Sequence, residues 1–202
     1  HPDFQRKVKE FIKEMPARLK EYHEVFSGNV IAQNRLKGVG FLSREDAINY
    51  GVTGPSGRGS GWACDVRKRS PYAAYDKVQF DEVLYNEGDS YARYMVRMKE
   101  IEQSLHILEQ LVDNIPEGDY LAKTKPIIKV PEGRYFKEVE AARGAFGIYL
   151  ESRGDKFPYR LKVNSPGFNL VGAVDHMTRG SKIADLIAIG GSLDYVVPDI
   201  DR

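Results

Sequence analysis

The run Thr53-Gly54-Pro55-Ser56-Gly57-Arg58-Gly59-Ser60-Gly61 has the composition of a loop that could cradle phosphate. That chemistry asks for GxxxxGK[ST], whose lysine reaches the outer phosphates, or for GxGxxG between a strand and a helix. Neither pattern is present, and tryptophan follows the last glycine. These glycines are therefore expected to permit tight turns and close backbone packing. No GxSxG announces a nucleophilic serine. A metal site needs two to four convergent ligands, and the 4 histidines show no HxH or HxxxH spacing. Cys64 is the single cysteine, so a disulfide framework and any CxxC motif are excluded within the chain; it reads as a small buried hydrophobe. Arg143-Gly144 sets a charge at the mouth of a predicted hairpin, where a helix cap or a turn is the plain reading.

The hairpin is formed by two short β-like runs, Ala145 to Glu151 and Tyr159 to Val163, joined through Arg153-Gly154-Asp155-Lys156. Around it the chain is mainly helical. Phe4, Val8, Phe11, Met15, Leu19 and Phe26 recur at helical spacing, with a kink or break predicted at Pro16 and a left-handed end at Gly28-Asn29. Ser43 is a cap for a short helix that Gly51 terminates. Residues 65–81 read as an extended connector with at most one short strand, near Lys77 to Phe80. The longest helix is predicted over 88–115, about 40 Å in length, with Asp89 in its first turn. Its methionines sit at core spacing. A proline-bounded basic and apolar segment covers 120–131; a helix starts near Asn169, and another covers Lys182 to Ile189 with Gly190-Gly191 behind it. The expected fold class is α+β, mainly helical, with a small antiparallel β-hairpin or sheet on a helical body.

The 202 residues suit one domain, and 42% hydrophobic residues suffice for a substantial core. With 30 basic against 29 acidic residues, the formal net charge of +1 gives no overall electrostatic footprint for nucleic acid or an anionic membrane, although a local patch can still exist. The most apolar segment, Ile183 to Gly191, is far too short to span a membrane and is interrupted by Asp185. Single-cysteine usage fits a reducing, intracellular compartment. The chain opens at His1 without methionine, and a piece of a longer protein is expected.

Several blocks, in order and covering nearly the whole chain, carry a family resemblance. GVTGPSGRGSGWACDVRKRSPYAAYDKVQFD (Gly51 to Asp81) resembles TG-x-x-x-R-x-SG…D-x-R-K-x-x-P-Y-x-x-Y of the 49 kDa (D) subunit of NADH-quinone oxidoreductase, respiratory complex I. GDSYARYMVRMKEIEQSL (Gly88 to Leu105) resembles GD-x-x-x-R…R-x-x-E-x-x-x-S. EAARGAFGIYLES and PYRLKVNSPGF match E-x-x-x-GE-x-G-x-Y and PYR-x-K-x-x-x-P-x-F, and SLDYVVPDIDR resembles LD-x-V-x-G-x-x-DR. Ala145 stands where that family has glutamate, and Pro198 where it has glycine.

The resemblance implies the C-terminal half of the 49 kDa subunit, with a hydrogenase large-subunit-like helical body, from a polypeptide standing alone or fused to the C subunit. In the related nickel–iron hydrogenases a C-terminal DPCxxC supplies two thiolates to the metal. Asp194 matches that aspartate, while Val196 and Asp199 fall where the cysteines would be, and valine cannot ligate a metal. What is implied instead is a cavity for a quinone headgroup near the terminal iron–sulfur cluster of a neighbouring subunit. Asp194 and Val196 match positions of that pocket, Arg202 the neighbourhood of the cluster, and Arg143-Gly144 the arginine–glycine bordering the hydrogenase site. A guanidinium there would stabilise negative charge developing on a quinone. The further implications are no cofactor bound by this chain, quinone as substrate, and NAD and iron–sulfur clusters in partner subunits. The iron–sulfur B subunit, the C subunit and the membrane-arm subunits are the expected partners, on the cytoplasmic side of the inner membrane. The isolated piece is expected to be inactive, and a hydrogenase-related subunit or a non-catalytic scaffold are the alternatives.

Overall fold

A computed structural model describes residues 3–119 and 121–201 as a helical body carrying a three-stranded antiparallel sheet. Helix α1 (Phe4–Tyr22) continues through Pro16, where a kink or break was expected. Proline removes one backbone donor, whereas Ile12, Met15 and Leu19 on either side of it pack against Met98 and Leu105. The irregularity comes later, as a π-helical turn over His23–Ser27. Gly28 (φ −81°) and Asn29 (φ −72°) are not left-handed; Asn29 instead caps α2 (Val30–Leu36) by accepting from the Ile31 and Ala32 amides.

Ser43 Oγ accepts from the Asp46 amide at 3.0 Å to start α3 (Arg44–Tyr50), and Gly51 closes it at φ +67°. The glycine run folds into α4 (Gly54–Arg58), every residue of which is buried. Asp65 caps α5 (Val66–Arg69), and no strand forms at 77–80. Asp89 is the N-cap of α6 (Ser90–Leu111), its Oδ1 accepting from the Ala92 amide at 2.7 Å, rather than a first-turn residue. This helix is about 33 Å long, and it ends before the apolar positions at 112 and 115. Ala92, Arg93, Val96, Met98, Leu105 and Ile107 are all buried, so it packs on more than one side.

Strands β1 (Gly133–Ala141), β2 (Gly144–Ser152) and β3 (Arg160–Asn164) follow in spatial order β1-β2-β3. The β2–β3 hairpin is the predicted one; β1 was not predicted, because Arg134 to Glu140 mixes polar and aromatic residues without clean alternation. Helix α7 (Pro166–Gly172) starts three residues before Asn169, with Ser165 capping and Pro166 in the first helical position. After α8 (Val174–Thr178), α9 (Ile183–Leu193) runs through Gly190-Gly191, where an end was expected. Ile189 and Leu193 are both sealed in the main core with Leu42, Val52 and Leu170, and that packing carries the helix past the glycines. The tail ends in α10 (Val197–Ile200).

Candidate functional site

The two-residue turn Ala142-Arg143 between β1 and β2 is pressed onto the start of α4. Gly54 (φ +69°) and Gly144 (φ +138°) meet backbone to backbone, and a Cβ on Gly54 would overlap the Gly144 main chain. Thr53 Oγ1 accepts from the Ala145 amide at 2.9 Å and fixes the register of this contact. The glycine run therefore serves close packing, as its composition suggested, and brings Arg143 over the end of α9.

There Asp194 closes α9 in the left-handed conformation at φ +57°. Arg143 Nε donates to the Asp194 carbonyl at 2.6 Å, and Arg143 Nη2 lies 3.5 Å from Asp194 Oδ1. From α6, Arg97 Nη2 donates to the Leu193 carbonyl at 3.4 Å and to Ser56 Oγ at 3.5 Å. Two guanidinium groups thus hold two successive carbonyls at the negative end of one helix. Arg97 Nε is sealed from solvent and has no hydrogen-bond partner among the described residues. Burial pushes the Arg97 guanidinium down from its ordinary value, against the opposing pull of Asp194 and Glu100. The side chains of Arg143 (29% exposed) and Asp194 (43% exposed) remain open to a ligand.

Below this surface lies a buried ionic cluster. Arg58 contacts Glu100 at 2.5 Å and Glu140 at 2.8 Å, and Asp65 at 4.0 Å. Burial works to lower the Arg58 pKa, but the charges of Glu100 and Glu140 outweigh it and hold the guanidinium above its ordinary value. Burial raises the Glu140 carboxyl despite Arg58. It also works to raise Asp65, but hydrogen bonds from Arg67 prevail and hold that carboxyl below its ordinary value. Glu140 sits on β1, so the cluster ties the sheet to α4 and α6.

One turn earlier on the same side of α6, Arg93 is fully buried. Its Nε donates to Ser192 Oγ (2.9 Å), its Nη1 to the Gly88 carbonyl (3.0 Å), and its Nη2 to the Gly40 carbonyl (2.8 Å) and Ser90 Oγ (3.0 Å). Burial pushes this guanidinium down to about 9, with repulsion from Arg97 adding to the effect. Through Ser192 it anchors α9 just before the Asp194 turn.

Of the residues singled out in the sequence, Arg143 and Asp194 are brought into direct contact. Val196, half-buried two residues on, is the N-cap of α10, and its carbonyl accepts from the Asp199 amide at 3.1 Å. Asp199 Oδ2 accepts from the Gly167 amide at 3.1 Å and pins the tail to α7. Arg202 lies outside the described residues. Arg58, Arg93, Arg97 and Glu100 entered only as letters of the family motifs and were given no role at the site. Besides the motif letters, a signal was charge at helical face spacing, since positions 93, 97 and 100 lie on one side of a helix. A hollow of about 620 Å³ lies elsewhere, between α1 and α6, lined by Leu19, His23, Leu105 and His106. Among the described residues no group of three His, Cys, Asp or Glu is placed to hold a metal ion. Chemically, the turn offers guanidinium donors and one carboxylate on a rigid frame, an arrangement that can orient an oxygen-bearing ligand and accept negative charge on it.

The family model for "Respiratory-chain NADH dehydrogenase, 49 Kd subunit" matches residues 1–129 and 123–202. The C/D subunit of NADH-quinone oxidoreductase from Phocaeicola vulgatus is 68% identical over 201 residues, covering 100% of this chain and 39% of that relative. The D subunit from Desulfotalea psychrophila is 51% identical over 196 residues, covering 96% of this chain and 53% of the relative. That from Bacillus cytotoxicus is 44% identical over 197 residues, covering 97% and 54%. The chain therefore spans between 39% and 54% of the length of these relatives. Its matches to the family model span the chain from end to end, and it belongs to the family of the 49 kDa subunit of the respiratory-chain NADH dehydrogenase.

Proposed function

We propose that this chain supplies the C-terminal half of a complex I 49 kDa subunit and forms part of the wall of its quinone-binding cavity. In this reading the parent enzyme passes electrons from NADH, through the terminal iron–sulfur cluster held by the B subunit, to quinone, coupled to proton translocation. The observation that carries it is the Arg143–Asp194 contact, which joins the two segments whose motifs match the cavity. The Arg143 guanidinium donates to the quinone oxygen and takes up negative charge as the headgroup is reduced. Asp194 orients that guanidinium, Val196 lends an apolar wall, and Arg202 stands towards the cluster. The remaining walls belong to the rest of the polypeptide, to the B and C subunits and to the membrane arm. No helix among the described residues is long and apolar enough to cross a membrane, so a peripheral place beside that arm is the reading adopted.

A nickel–iron centre is not the reading the chain supports. Asp199 is bonded to the Gly167 amide, and burial pushes the lone thiol of Cys64 up to about 12, away from the thiolate that a metal requires.

The test is deletion of residues 194–202 in the assembled enzyme. Assembly and NADH oxidation by a water-soluble acceptor are expected to persist while quinone reduction falls. Retained assembly with unchanged quinone reduction would mean that the segment is a scaffold only. The isolated chain is expected to show no quinone reductase activity.

A further inference from the structure

Two stretches with an excess of basic charge meet at one end of the sheet in this nearly neutral chain. Residues 121–137 and 151–162 contain nine lysines and arginines against three carboxylates, in a chain whose net charge is +1. Strand pairing brings the two stretches together. Gly133 faces Ser152 across the β1–β2 ladder, and Ser152 Oγ donates to the Val130 carbonyl at 2.7 Å. The loop before β1 is thereby fastened beside the β2–β3 turn. This end of the ladder lies about 27 Å from the Arg143 turn.

Among the described residues, no carboxylate comes within ion-pairing distance of Lys125, Lys129, Lys156 or Arg160. Large apolar side chains stand between these cations and face solvent: Ile127 is 59% exposed, Ile128 64% and Phe157 69%. Arg153 lies 3.3 Å from the centroid of the Tyr159 ring, and Lys156 4.9 Å from that of Phe157. Lys125, Ile127, Ile128 and Lys129 line an open hollow of about 570 Å³.

Cations without a carboxylate partner among the described residues call for an anionic counter-surface, and the isoleucines and phenylalanine beside them call for hydrocarbon at the same level. The nine basic residues are six lysines and three arginines. A protein partner bearing carboxylates is matched best by arginine, which forks onto them, whereas lysine is depleted from protein interfaces. A field of lipid headgroups asks only for point charges on long apolar stems. We propose that this end of the sheet is a docking surface for an anionic phospholipid membrane, with Phe157, Ile127 and Ile128 entering the interface between headgroups and acyl chains. The proposal does not rest on the quinone reading, and its test does not use quinone reduction.

The full-length polypeptide containing this chain, purified apart from membrane subunits, is mixed with vesicles of phosphatidylcholine alone or with about 30% phosphatidylserine. Co-sedimentation is expected with the serine vesicles only, and is lost at high salt. Lys125→Gln with Lys129→Gln is expected to weaken partition about thirtyfold, whereas Lys7→Gln with Lys13→Gln on α1 leaves it unchanged. In Phe157→Trp, emission in excess of that of the parent protein is expected to shift to the blue on anionic vesicles. Equal binding to both vesicle types, or unshifted emission from the vesicle-bound Phe157→Trp protein, overturns the proposal. A shift produced by a glutamate-rich peptide but not by vesicles also overturns it, and marks a protein partner instead.

Discussion

Arg143 Nε donates to the main-chain oxygen of Asp194 at 2.6 Å, a contact between residues 51 positions apart. It joins the tip of the β1–β2 turn to the left-handed residue that ends α9. The carbonyl is one that a helix terminus leaves without an internal partner, so the bond completes the helix and aims the tail in one step. Both side chains stay partly open, and this geometry makes the site a candidate rather than a structural knot.

Arg143→Ala is expected to lower quinone reductase turnover of the assembled enzyme by about tenfold or more. Arg143→Lys should restore only part of it, because an ammonium keeps the charge but cannot span the carbonyl and the carboxylate together. Steady-state kinetics with a short-chain quinone measure both; equal activity of Arg143→Ala and the parent would remove Arg143 from the site.

Arg93→Ala leaves the carbonyls of Gly40 and Gly88 and two serine hydroxyls without their buried donor. A loss of about 3 kcal/mol or more is expected, read as a fall in the urea midpoint. Arg93→Lys should lose nearly as much, since one ammonium cannot serve four divergent acceptors.

Gly144→Ala puts a Cβ against the main chain of Thr53 at a backbone angle of φ +138°. Strain and overlap together should cost about 1–3 kcal/mol. They should also detach the turn from α4, visible as faster amide exchange at Ala145, whose proton now bonds to Thr53.

Asp65 has a depressed carboxyl pKa in the folded chain, so its contribution is fully present above its ordinary value of 3.8 and is lost as pH falls below it, through the folded value. Glu140, whose carboxyl is raised by burial, works in the opposite sense, since the fold binds its proton first. Urea midpoints followed from pH 5 down to pH 2 should therefore fall most steeply below about 4. In Asp65→Asn that acid limb should be shallower than in the parent chain.

Cys64, whose thiol burial pushes up to about 12, should resist alkylation at pH 8 in the folded chain and react at once in denaturant. Mass spectrometry of the two samples measures it.

The parts legible in sequence were those set by local chemistry. Ser43 and Gly51 bound their helix because a hydroxyl satisfies a free amide and glycine tolerates the left-handed turn. The β2–β3 hairpin followed from two short runs around Gly154. Pro16 and Gly190-Gly191 misled for one reason: propensity is worth about 1–3 kcal/mol, and burial of Leu19, Ile189 and Leu193 overrides it. β1 stayed hidden because its stability comes from pairing with β2 and from the Arg58–Glu140 contact, neither of which is local.

The order of residues by itself determined the family, through spaced motif letters, and placed Arg143 and Asp194 among the residues to watch. Only the folded chain decided that they touch, that Arg97 and Arg93 brace the same helix end, and that two lysine-bearing stretches meet at one end of the sheet. The physical reason is separation along the chain. A contact between residues 51 positions apart depends on how strands pair and helices pack, and side-chain order specifies that only through the whole core at once.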